Sequence, residues 1–242
     1  MALKLTTCAS DREFVCGKLR VPLDHSGRVR GTLSLEVAAQ RRYPVGAKLL
    51  IALSGGPGQS SVDAASTFSL SLDPLLGRYR LVVIDQRGTG AGALKCPELQ
   101  RTGSLDPFTA QAVLRCAKQI GPQRRFFSTA DTVGDLDDLR RAFGARKTAL
   151  MGISYGTWVA LQYARAHPRQ TDRLVLDSVV GPDLDGGLAL DTYARLPRVL
   201  LEQCRRSNCK GATKHPVQDL GKVAPLQLLR RHCSSSTRGS RA

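Results

Sequence analysis

Apolar positions follow two rhythms along the first three quarters of the chain. From Gly31 to Ala39, Leu33, Leu35 and Val37 alternate with polar Ser34 and Glu36. A period of two predicts a half-buried strand. Val15 to Leu23 reads as the strand before it, and Asp24-His25-Ser26-Gly27 supplies turn chemistry between them. Lys48 to Leu53 and Tyr79 to Ile84 read instead as continuous apolar strands, typical of a sheet covered on both faces. Lys147 to Ile153 is a third buried strand and Arg173 to Val179 a fourth. Between them the rhythm changes to that of helices. Ser128 to Phe143 carries a stripe of Leu136, Leu139 and Phe143, with Ser128 or Thr129 as its cap and Gly144 as its stop. Asp131 and Asp135 suit the positive end of that helix. Tyr155 to Ala166 is a second helix, ended by His167-Pro168. Strands alternating with helices predict an α/β fold, a mainly parallel sheet with helices on both faces.

Composition narrows the class. The chain has 242 residues, 42% of them hydrophobic, which is globular and fits one domain or one domain plus a small appendage. The longest apolar run, Leu49 to Leu53, is far short of the ~20 residues of a membrane helix, so no membrane partner is expected. No apolar stretch of the secretory kind follows Met1, so the sequence as given carries no signal peptide. The net charge of +16 raises nucleic acid as a partner. The arginines are scattered as pairs, however, and aromatic residues make up only 5%, too few for a stacking platform, so nucleic acid is disfavoured.

The cysteines change the picture more. Cys8 and Cys16, Cys96 and Cys116, and Cys204 and Cys209 form three local pairs, with Cys233 left over. They are candidates for three short-loop disulfides and point to an oxidising compartment, although spacing alone does not fix connectivity. No CxxC occurs and no histidine stands at ligand spacing, so no metal is expected.

One motif carries chemistry directly. Gly152-Ile153-Ser154-Tyr155-Gly156 lies between a buried strand and a helix. A serine there occupies a tight turn that lifts its hydroxyl above the carboxyl end of the sheet, and small residues two positions away keep strand and helix from colliding. Gly55-Gly56-Pro57-Gly58 follows the first buried strand. The N–H of Gly55 or Gly56, together with that of Tyr155, would serve as the donors of an oxyanion hole. Gly88-Thr89-Gly90-Ala91-Gly92-Ala93 matches a dinucleotide fingerprint formally. It is followed by Lys95-Cys96-Pro97 rather than an opening helix, so no cofactor is expected.

With these residues in view, the chain resembles the α/β-hydrolase family of serine exopeptidases, namely prolyl iminopeptidases and the secreted tripeptidyl aminopeptidases of actinobacteria. The matching stretches are Cys16 to Asp24, Leu53 to Gln59, Tyr79 to Gly90, Ser128 to Phe143, Met151 to Thr157 and Leu174 to Pro182. The resemblance implies an α/β-hydrolase fold and hydrolysis of peptides from a free N-terminus. Ser154 would be the acylating nucleophile, with Gly56 and Tyr155 as oxyanion donors. It also implies export, in line with the cysteine pairs.

Such a mechanism needs a histidine to take the serine proton and an acid to orient it, in the chain order Ser, acid, His. No catalytic histidine is identified. His25 reads as a solvated turn residue and His167 as a helix-end residue. His215 and His232 follow no strand-and-acid pair, and Asp177 would be a displaced acid. From Leu184 onward there is no Ile, Phe or Trp, so two further buried strands are not expected. The expected organisation is a core over residues 1–183, incomplete at its C-terminal side, and the start of a helical lid over 184–222, with Leu188 to Arg206 helical. An atypical basic tail over 223–242 reads as out-of-frame text, with a genuine short basic tail as the alternative. Peptidase activity is then weak or absent in the chain alone, with a complementing C-terminal polypeptide as an open partner. Alternatives are an esterase or lipase-type hydrolase and a non-catalytic basic binding protein.

Overall fold

The computed structural model describes residues 3–101, 110–181, 187–207 and 209–222. The chain forms two compact units, Met1–Pro182 and Asp183–Ala242. The expected tail, with Cys233 and His232, lies outside the described residues.

Among the described residues the first unit is built on seven strands: β1 (Leu5–Thr7), β2 (Phe14–Pro22), β3 (Thr32–Gln40), β4 (Lys48–Leu53), β5 (Tyr79–Ile84), β6 (Thr148–Ile153) and β7 (Thr171–Asp177). Their spatial order is β1-β2-β3-β5-β4-β6-β7. The first three strands and β5 pair antiparallel, and β5, β4, β6 and β7 pair parallel. Parallel neighbours need long crossovers, and helices supply them: α1 (Ala65–Ser71) and α2 (Asp73–Leu76) before β5, α5 (Thr129–Ala142) before β6, and α6 (Tyr155–Ala166) before β7. The connection from β5 to β6 also holds α3 (Pro97–Arg101) and α4 (Ala110–Ile120). The second unit contains α7 (Gly187–Arg206).

The uninterrupted apolar run of β4 has a direct cause. Leu49, Ile51 and Leu53 face one core with Leu136 and Leu139 of α5 and Val159, Ala160 and Tyr163 of α6. Leu50 and Ala52 face the opposite core with Phe68, Leu72 and Leu76. Both faces of the strand are dry from Leu49 onward, so every position from Leu49 to Leu53 is apolar. Each buried Leu or Ile contributes roughly 2 kcal/mol. In the edge strand β7, by contrast, half-buried and exposed positions alternate from Asp172 on, with Arg173, Val175 and Asp177 exposed.

The predicted strands and helices match these elements to within two residues at their ends. β1 and the helices α1 to α4 were not foreseen, although α4 is amphipathic. Three disulfides form, Cys8–Cys16, Cys96–Cys116 and Cys204–Cys209, in the local pairing that the spacing suggested. Among the described residues no helix is long and apolar enough to cross a membrane.

Two expectations are corrected. Asp135 does not serve the α5 dipole from the surface. It is buried, and Arg87 clamps it through Nε to Oδ2 at 2.7 Å and NH2 to Oδ1 at 2.6 Å. Arg87 donates its remaining N–H groups to the carbonyls of Leu23, Phe126 and Pro22. The helix start is served instead by Ser128, which accepts from the N–H of Asp131. His25 is not a solvated turn residue either. Its Nε2 lies 2.8 Å from Asp135 Oδ1, and its ring packs over Gly134, where a Cβ would meet it at 2.7 Å.

The Asp135 carboxylate holds the His25 pKa above its ordinary value by hydrogen bonding; burial opposes this, Asp138 adds to it and the nearby Arg87 charge opposes it. A raised folded-state pKa stabilises the fold fully below the unfolded value of about 6.5 and loses that stabilisation as pH rises through the folded value. The stability difference between the wild type and His25→Gln is therefore expected to shrink from pH 6 to pH 9, measured as urea midpoints. A constant difference would show that the imidazolium charge contributes nothing.

Candidate active site

The carboxyl ends of β4, β5 and β6 meet around Ser154. This residue joins β6 to α6 with φ 52° and ψ −120°, a conformation that costs a non-glycine residue on the order of 1–3 kcal/mol. The turn is held from several sides. Ser154 N–H donates to the Asp177 carbonyl at 2.9 Å. Its own carbonyl accepts from Thr157 N–H at 2.9 Å and Thr157 Oγ1 at 2.6 Å. Thr157 Oγ1 accepts in turn from Val180 N–H at 2.8 Å. A fully buried threonine thus locks the residues after β7 onto the serine turn.

The flanking glycines are required by contact. A Cβ on Gly152 would lie 2.4 Å from the Gly156 backbone, and one on Gly156 would lie 2.4 Å from the Leu53 carbonyl oxygen. The glycine-rich loop after β4 lies against the same turn. A Cβ on Gly55 would be 2.9 Å from Ser154 Cβ and 3.5 Å from its hydroxyl oxygen. Tyr155 opens α6, where an N–H has no acceptor within the helix. None of the described residues accepts from the N–H of Gly56 or Tyr155. The Tyr155 hydroxyl is anchored to Thr129 Oγ1 at 2.8 Å, which ties α6 to α5.

A residue not foreseen as part of the site organises that loop. Asp85, buried just after β5, accepts at Oδ1 from Ser60 Oγ, Ser61 N–H and Val62 N–H at 2.8, 2.9 and 3.0 Å. Ser61 Oγ then accepts from Ser54 N–H at 3.0 Å. The signal was present in the sequence: Asp85-Gln86-Arg87 directly follows an apolar strand, and polar residues at such a place are buried only with partners.

The other candidates within the first unit contribute no side chain to the serine turn. Asp177 contributes its backbone to the turn, while its exposed carboxylate accepts from Ser178 Oγ at 2.9 Å. His167 caps the far end of α6 and packs on Tyr163, with ring centroids 4.9 Å apart. Twelve helical residues at ~1.5 Å each put it about 18 Å along the axis from Ser154. His25 is engaged by Asp135. His215 belongs to the second unit. Among the described residues no cluster of three metal-ligating side chains occurs. Gly90–Gly92 forms a short 3₁₀ turn rather than the start of a long helix.

An open α/β sheet with a strained serine between strand and helix, faced by a glycine-rich loop, defines a hydrolase architecture. The chain belongs to the alpha/beta hydrolase fold family, whose sequence pattern matches residues 48–203. Serine protease Hip1 of Mycobacterium tuberculosis is 31% identical over 196 residues, covering 71% of this chain and 37% of that protein. The tripeptidyl aminopeptidase of Streptomyces coelicolor is 30% identical over 207 residues, covering 74% and 38%. The proline iminopeptidase of Xylella fastidiosa is 32% identical over 132 residues, covering 54% and 32%. The chain thus spans little more than a third of these relatives at most. Among solved structures, a proline iminopeptidase-related protein of Thermus thermophilus aligns with 24% identity and a TM-score of 0.41, over 73% of this chain and 44% of that one.

Proposed function

We propose that the protein is a serine hydrolase of the aminopeptidase type, cleaving peptides from a free N-terminus by acyl transfer through Ser154. The observation that carries this reading is the Ser154 backbone at φ 52°, overdetermined by hydrogen bonds and faced by the Gly55–Gly56 loop. Strain of this kind persists where it positions a reacting group. The relatives, a serine protease, a tripeptidyl aminopeptidase and a proline iminopeptidase, favour peptides as substrates.

In this reading Ser154 Oγ adds to the scissile carbonyl carbon. The carbonyl oxygen takes up the charge and is held by the N–H groups of Gly56 and Tyr155. Collapse expels the amine and leaves an acyl-serine, which water hydrolyses. Two proton transfers are needed, from the serine and to the amine. His25 is engaged by Asp135 and His167 lies at the far end of α6, so neither takes the serine proton in this reading. Three disulfides support an extracytoplasmic location.

The test uses the full chain with tripeptidyl anilides whose N-terminus is free or acetylated. The expected result is slow release of aniline, lost on acetylation and lost in Ser154→Ala. A rate unchanged in Ser154→Ala would overturn the assignment. Ester cleavage with no amide cleavage would favour the esterase reading.

A further inference from the structure

The parallel strands all begin at the end of the sheet opposite Ser154. β4 is six residues long, so at ~3.3 Å per residue its ends lie about 20 Å apart. At the far end is an open cleft with a volume of about 620 Å³. Lys48, Arg80, Arg146 and Lys147 line it, together with the rings of Tyr43 and Phe143. A second cleft of about 460 Å³ shares the Gly46 to Lys48 wall and adds Arg78 and Arg173.

The charge of these walls is one-sided. Asp172 is the carboxylate among them, and it is occupied: Lys48 Nζ lies 3.3 Å from it and the Tyr79 hydroxyl donates at 2.9 Å. Among the described residues no carboxylate stands within ion-pairing distance of Arg78, Arg80, Arg146, Lys147 or Arg173. Arg80 is half-buried, its Nε donating to the Gln40 carbonyl at 3.2 Å. Its guanidinium lies 4.0 Å from the Tyr43 ring centroid and 5.2 Å from that of Phe143. Burial lowers its pKa, as expected for a cation removed from water without a counter-ion.

We propose that these adjoining clefts are a docking site for a linear phosphate polymer other than a nucleic acid. Arg78, Arg80, Arg146 and Lys147, with no carboxylate in ion-pairing distance, and Arg173, which shares the field of Asp172 with Lys48, suit a multivalent chain better than one phosphate, because each neutralised phosphate adds its own counter-ion release. The ring surface that would stack bases faces Arg80 instead. The site lies away from Ser154, so a chain held there leaves the serine face open. This inference stands independently of the hydrolase reading.

The test is fluorescence anisotropy of the full chain with labelled polyphosphate, from about 50 to about 200 mM salt. The triple variant Arg80→Gln, Arg146→Gln, Lys147→Gln removes cleft charge. The control triple variant Arg20→Gln, Arg28→Gln, Arg30→Gln removes the same charge from the β2–β3 hairpin. The cleft variant is expected to bind at least tenfold more weakly, with a log–log salt slope shallower by about 2, at ~0.7 per flexible-chain phosphate. The control is expected to change less than threefold. Should Arg80→Gln fail to fold, the exposed pair Arg146→Gln, Lys147→Gln gives the same comparison at about two thirds of the slope change. Equal losses in both variants, or no binding at about 50 mM salt, would overturn the proposal. Tighter cleft-dependent binding of a single-stranded oligonucleotide of equal charge would overturn the class of partner.

Discussion

Replacing Asp135 by alanine is expected to lower unfolding stability by about 3–5 kcal/mol. The carboxylate is buried and receives two charge-assisted hydrogen bonds from an arginine whose side chain is itself only 1% exposed. Removing it leaves a guanidinium charge in the core with only the longer contact to Asp131 Oδ1, at 3.8 Å, as counter-charge. The paired replacement Arg87→Met, Asp135→Leu removes both charges, and such replacements often recover most of the loss. Here the recovery is expected to be partial. Arg87 also satisfies the carbonyls of Pro22, Leu23 and Phe126, and methionine satisfies none of them. Guanidinium unfolding of the wild type, Asp135→Asn, Asp135→Ala and the double variant measures the series. A loss below about 1 kcal/mol in Asp135→Ala would mean that water reaches the pair and that the network is not a clamp. Since whole domains are stable by about 5–15 kcal/mol, poor soluble yield of the alanine variant is the companion expectation.

The second large effect is expected at Gly156. Alanine there places a methyl 2.4 Å from the Leu53 carbonyl oxygen and 2.9 Å from that of Ser54. Both are backbone atoms at the end of a central strand, and neither can swing aside like a side chain. Overpacking typically costs about 1–3 kcal/mol, and rigid partners put this case at or above the upper end. The displacement falls on the strand end that leads into Gly55, so Ser154-dependent hydrolysis should vanish even in molecules that fold. Gly77→Ala is the matched control: that residue has φ −68° and open space around it, so a change within about 1 kcal/mol is expected. Equal melting temperatures for the two variants would show that strand and helix are not in the close contact described.

Much of this architecture is legible in the sequence because its causes are local. Leu49–Leu53 is apolar throughout since both faces of β4 are covered there, and that cause leaves a mark at every one of those positions. The Gly152-Ile153-Ser154-Tyr155-Gly156 turn is legible because close backbone approach admits only glycine. The roles of His25, Asp85 and Asp135 were not legible, because each is settled by residues far along the chain. His25 and Asp135 are 110 positions apart, and Asp85 and Ser60 are 25 apart. A turn containing Asp, His, Ser and Gly has the same composition whether it meets water or a buried carboxylate. The edge position of β7 was likewise hidden, because sequence order does not give spatial order.

The grip of Asp85 on Ser60, Ser61 and Val62 bears on how such a loop could be moved between proteins. The shape of the segment after Gly55-Gly56-Pro57-Gly58 is not encoded in that segment alone, since three of its donors converge on a carboxylate from the neighbouring strand. A graft of Ser54 to Val62 onto another sheet would carry the glycines and leave their anchor behind. The smallest transplantable part is a pair of adjacent strand ends, and its natural variants should change in pairs: a loop that loses its serine and N–H donors loses the reason for a buried aspartate next door.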